Sequence, residues 1–125
     1  MSLLEERPEG LHLVRWVRSD AVAVGSREFV ASFLLAPDAV RDHWTPRTLD
    51  QIDDAAIAEV LALEPALVLL GTGQRQRLPA PKLLAGFLRR GIGLEAMDNA
   101  AAARTYNLLA GEGRRVVAAF LLGEA

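Results

Sequence analysis

Apolar residues open the chain in three short runs set apart by polar and small residues. Residues 11–17 and 21–24 flank Arg18-Ser19-Asp20, and Gly25-Ser26 turns into a third run at 28–35. Runs this short and this closely spaced predict an antiparallel β-meander. Ala36-Pro37-Asp38 ends the third, because proline has no N–H to give to a ladder. The period then changes. Ile52, Ala56, Ile57, Val60 and Leu61 recur at three- and four-residue spacing. That spacing predicts a helix over 51–63, capped by Thr48 or Asp50 and stopped by Glu64-Pro65.

The second half alternates between the two periods. Residues 67–70 are wholly apolar and stop at Gly71-Thr72-Gly73. Residues 81–90 place Leu83, Leu84, Phe87 and Leu88 on one side of a helix closed by Gly91. A second strand over 92–97 leads to Asp98 or Asn99 as the cap of an alanine-rich helix that Gly111 closes. Residues 115–122 form the last strand. A strand–helix–strand–helix–strand order requires crossovers, hence a largely parallel sheet carrying helices. Strands 67–70, 92–96 and 116–121 are expected to be adjacent inner strands.

Composition narrows the function. The chain has 125 residues, 51% of them hydrophobic and 24% charged, which suits a single domain with one core. A mean hydropathy of +0.18 favours strands covered on both faces. With 14 Lys and Arg against 16 Asp and Glu there is no large electropositive field, so bulk nucleic-acid binding is excluded and only a local basic patch is left. Cysteine is absent, which removes disulfides, thiolate catalysis and cysteine-based metal centres. His12 and His43 are too few for a histidine-rich metal site and read as structural. No cofactor is expected. The N-terminal residues lack a basic segment followed by an apolar run, and no apolar stretch approaches a membrane span. A cytoplasmic protein without an integral membrane segment is expected, with residues 1–9 as a flexible lead.

Several residues can carry chemistry. Gly71-Thr72-Gly73 sits where a strand passes towards a helix, the place where open α/β sheets hold ligands and where backbone N–H groups can hold an anion. Its spacing fits neither a dinucleotide fingerprint nor a Walker loop, and the glycines also suit a sharp turn with tight packing. Arg75, Arg77 and Lys82 follow the loop, as lining for an acidic ligand or as solvated charges. Asp98 can be a general base or an N-cap, and capping is the reading adopted. Arg104 and Tyr106 share one helix but point in different directions. Arg104 can bind a carboxylate or phosphate in bidentate fashion, or pair structurally with Asp98 or Glu112, the reading preferred here.

Three segments together resemble one family. They are Gly71-Thr72-Gly73, the stretch from Met97-Asp98-Asn99 through Arg104-Thr105-Tyr106-Asn107, and Leu108-Leu109-Ala110-Gly111-Glu112-Gly113-Arg114. The family is one of unknown function that includes the mitochondrial complex I assembly factor three and the adipogenesis-associated Mth-type domain proteins. The resemblance implies a three-layer α/β domain over residues 1–125, with a central mixed, largely parallel sheet, helices packed on it and the N-terminal meander. It implies no established chemistry. Family members often carry cysteine where this chain has Ala103 and threonine where it has Asn99, so a thiol mechanism is not essential here. The resemblance implies a non-enzymatic protein-interaction or assembly module, with a protein partner or a second copy of the chain. The alternative is a small anionic-ligand-binding protein or enzyme. Either would use a cleft of Gly71, Thr72, Gly73, Asp98, Arg104 and Tyr106.

Overall fold

Side-chain alternation along the strands decides how the chain is layered. The structure, a computed structural model, describes residues 10–123, so the flexible lead expected over 1–9 lies outside the described residues. Strands β1 (Val14–Val17), β2 (Val22–Val24) and β3 (Arg27–Phe29) form a three-stranded antiparallel sheet. Strands β4 (Phe33–Ala36) and β5 (Ala39–Arg41) form a hairpin around Pro37-Asp38. Then come α1 (Asp54–Leu61), β6 (Leu67–Gly71), α2 (Pro81–Leu88), β7 (Gly93–Met97), α3 (Asn99–Gly111) and β8 (Val116–Phe120). The main sheet has the order β5-β4-β8-β6-β7. Its β8–β6 and β6–β7 pairs are parallel, while β4–β8 and β4–β5 are antiparallel.

Successive residues of a strand face opposite sides. Phe33, Leu35, Leu69, Val116, Ala118 and Phe120 face α3 and the small sheet. Leu34, Ala36, Val68, Leu70, Val117 and Ala119 face α1 and α2. Every position of β4 and β8 is therefore apolar, as a strand covered on both faces requires. Phe33 stacks between Phe29 and Phe120, at ring-centroid distances of 4.1 and 5.1 Å, and ties the small sheet to the main one. The three-layer α/β architecture with a mixed central sheet and an N-terminal meander is present.

Three local expectations need correction. The run 28–35 is two strands in different sheets, because the chain changes layer at Val30-Ala31-Ser32. Buried Ser32 secures the crossing: its Oγ accepts from the Leu122 N–H at 2.9 Å. The strand expected over 92–97 is an edge strand rather than an inner one. α2 and α3 cover opposite faces of the sheet, so the chain passes back over β6 after β7 and places β8 on its far side. Finally, α1 is capped by Asp53, whose carboxylate accepts from the Ala56 N–H at 2.9 Å. Thr48 and Asp50 belong instead to a 3-10 turn at Leu49–Gln51.

Candidate functional site

The parallel strands β6 and β7 send their following helices to opposite faces, which opens a crevice at their C-terminal ends. The chain fills this crevice with its own groups. Asn99, the first residue of α3, is buried; its Oδ1 accepts from the Gly73 N–H at 3.1 Å and its Nδ2 donates to the Leu121 carbonyl at 3.0 Å. The Asn99 N–H donates to the Gly73 carbonyl at 2.8 Å. Thr72 donates its N–H to the Met97 carbonyl at 2.9 Å, and its hydroxyl donates to the Arg75 carbonyl at 2.6 Å. A side chain at Gly71 has no room, since its Cβ would stand 2.3 Å from Asn99 Oδ1. Gly73 has φ +100°, where a Cβ is strained. Close approach and turn geometry thus account for both glycines, and the Gly73 N–H is already engaged.

Beside this plug lies an open cleft of about 670 Å³, walled by Asp20, Gly73, Arg75, Arg77 and Leu121 among others. A smaller recess of about 250 Å³ adjoins it, with Arg18, Gly73 and Asp98 on its walls. Thr72 borders a third recess with Arg77 and Leu121. Asp98 caps α3, its carboxylate accepting from the Ala101 N–H at 2.8 Å. Gly73 and Asp98 are therefore brought together at the smaller recess. Gly71 is buried beneath Asn99, and Lys82 lies elsewhere, between α1 and α2.

Tyr106 and Arg104 are not part of the cleft. Tyr106 is fully buried and its hydroxyl donates to the His12 carbonyl at 2.7 Å. Burial pushes its pKa well above the ordinary 10.0; nearby Asp38 adds to the rise and Arg115 opposes it. The next residue, Asn107, accepts from the Val14 N–H and donates to the Val14 carbonyl, both at 2.8 Å. This pair fastens α3 to the N-terminal strand across more than 90 positions of sequence. Arg104, two positions before Tyr106, points the other way. Its side chain is exposed and makes no hydrogen bond or ion pair among the described residues. The expected pairing with Asp98 or Glu112 is absent, because the inner face of α3 is filled by Ala102, Ala103, Tyr106 and Ala110. Sequence reasoning missed the two working asparagines. Asn99 entered only as a rival cap, and its cue was a glycine-bounded strand end with a gap to fill.

Residues 14–121 match the family described as Protein of unknown function (DUF498/DUF598). The chain belongs to that family. Among its relatives, the bovine NADH dehydrogenase (ubiquinone) 1 alpha subcomplex assembly factor 3 is 31% identical over 124 residues, covering 97% of this chain. The chain spans 66% of the length of that bovine protein. A Xanthomonas campestris protein solved by NMR is 48% identical with a TM-score of 0.83, over 98% of this chain and 93% of its own. The Mth938-like domain of Bordetella pertussis is 30% identical with a TM-score of 0.80, over 97% of this chain and 92% of its own. In this DUF498 member, Gly71, Thr72, Gly73, Asp98, Tyr106 and Asn107 all have work inside the fold, which leaves Arg104 turned outward. Among the described residues no helix is long and apolar enough to cross a membrane.

Proposed function

We propose that this protein is a non-enzymatic interaction module that serves the assembly of a larger complex. The observation that carries the reading is the outer face of α3. Arg104 is exposed with no partner among the described residues, and Leu108, one turn further on, is 62% exposed. A guanidinium beside an uncovered leucine is the kind of pair that anchors protein interfaces. Kinship with a bovine protein named as an assembly factor of NADH dehydrogenase supports a subunit of such a complex as the class of partner. Cytoplasmic residence belongs to the same proposal, and cell fractionation checks it.

The test uses the organism that encodes the protein. Deleting the gene should lower assembled NADH dehydrogenase in the membrane, and the wild-type chain should restore it. The Arg104→Glu/Leu108→Glu variant should stay folded and fail to restore it. Normal complex levels in the deletion strain would refute the assembly reading.

A second reading has one observation in its favour: Arg75 and Arg77 both border the cleft beside Gly73, which suits a small anion. Titration with inorganic phosphate, followed by amide NMR shifts of Gly73 and Arg75, tests it. Unmoved signals at millimolar phosphate would remove it.

A further inference from the structure

Two segments of this chain each carry charges of a single sign. Residues 50–64 contain Asp50, Asp53, Asp54, Glu59 and Glu64 and no lysine or arginine. Residues 75–90 contain Arg75, Arg77, Lys82, Arg89 and Arg90 and no aspartate or glutamate. α1 and α2, which rise from these segments, cover the same face of the main sheet. Between them runs a groove of about 760 Å³. Its floor is apolar, with Ile57, Leu61 and Leu83. Asp50, Asp53 and Asp54 stand along one wall, and Lys82, Arg89 and Arg90 along the other. Small residues keep it open: Ala58 lies on the α1 side, and a Cβ at Gly86 on the α2 side would meet nothing within 4 Å.

Among the described residues no ion pair joins the two walls. Asp53 is spent on capping α1, and Arg90 donates to the Gly86 carbonyl. The side chains of Asp54, Lys82 and Arg89 make no hydrogen bond or ion pair among the described residues. Asp50 accepts from the Thr48 hydroxyl, so the groove offers an apolar floor between opposite charges of which Asp54, Lys82 and Arg89 are left unused by the fold.

We propose that the occupant is the same groove of a second copy of this chain, turned half a revolution. A two-fold contact needs a surface complementary to its own image, so that residue i meets j while j meets i. A groove with three acids on one wall and three bases on the other has that property. The half-turn lays each acidic wall on the partner's basic wall and brings the two apolar floors together. A partner of single sign, such as a nucleic acid or an acidic peptide, would be repelled by one wall. Charges so placed fix orientation, while the floor supplies the buried area. Helices of eight residues are about 12 Å long. The contact falls in the small size class, so the dimer dissociates on dilution. This inference does not depend on the assembly reading.

Sedimentation equilibrium of the purified full-length chain tests it. A monomer–dimer equilibrium is expected, shifting to monomer between about 0.1 M and 1 M salt as the screening length falls from about 10 to 3 Å. Asp54→Lys and Arg89→Glu should each weaken dimerisation about tenfold or more. Mixing the two variants should restore association, because each then meets a complementary wall. Thermal melts confirm that the variants fold, and the wild-type salt series decides the matter without any substitution. A monomer at every concentration and salt would overturn the proposal. So would a dimer indifferent to salt and to both reversals, or variants that stay monomeric when mixed. The assembly reading survives those outcomes, since it is measured in cells through Arg104 and Leu108.

Discussion

Gly71→Ala is the sharpest probe of the plugged crevice. The new methyl group would lie 2.3 Å from Asn99 Oδ1 and 3.1 Å from the Phe120 ring. The Asn99 amide is the softer neighbour, but moving it breaks its bonds to the Gly73 N–H and the Leu121 carbonyl. Each buried group left without a partner costs about 1–3 kcal/mol, which puts the substitution at roughly 2–6 kcal/mol. At roughly 3–6 °C of Tm per kcal/mol for a domain of this size, the loss is large and readily measured. Asn99→Ala breaks the same two bonds and should cost a similar amount. The double variant is the decisive one. With alanine at 99 the oxygen that blocks the methyl group is gone, so the second substitution adds little. Denaturant melts of all four proteins should give a coupling of at least about 1 kcal/mol in the sub-additive direction. Costs that add to within about 0.5 kcal/mol would refute the argument that Gly71 is glycine to make room for Asn99.

Other expectations follow from single contacts. Asp98→Ala removes the cap of α3 and should cost about 0.5–2 kcal/mol in urea melts; unchanged stability would return Asp98 to the list of reactive carboxylates. Arg104→Ala should leave stability within about 0.5 kcal/mol, because the side chain is exposed and unpaired among the described residues. Tyr106 is the only tyrosine in the chain, so tyrosinate absorbance reports on it alone. Its folded-state pKa is raised, so its contribution to stability is whole below pH 10.0, the ordinary value. Above that pH the unfolded chain releases the proton first and stability falls. The tyrosinate signal should therefore appear together with unfolding; a reversible step near pH 10 in the folded protein would contradict the burial argument.

The elements of the second half were legible because each is a local pattern. An apolar strand ends in glycine, an aspartate caps an alanine-rich helix, and a last apolar run follows. Strand order was not, since nothing within residues 92–97 says which side of β6 the chain will return to. The layer change inside residues 28–35 was hidden for a similar reason. Val30-Ala31-Ser32 carries no turn signal, and what fixes Ser32 is Leu122, 90 positions away. At the candidate site, the loop and Asp98 lie together because they terminate neighbouring strands. Arg104 and Tyr106 were placed with them wrongly. Six and eight residues along a helix from Asp98 is a rise of about 9 and 12 Å, which carries both away from the strand ends.

The position of β8 also governs when a growing chain can close. Among the described residues it is the last strand to be synthesised, yet it sits between β4 and β6 in the middle of the main sheet. Until residues 116–120 leave the ribosome, β4 and β6 each wait with an unpaired edge and side chains destined for the interior. The small sheet waits as well, because the Tyr106 and Asn107 groups that hold His12 and Val14 arrive late. Pairing across such separations is slow to form, and an open apolar edge is a template for strands of other chains. A nascent chain stalled before residue 116 should be the form of this protein most in need of a chaperone.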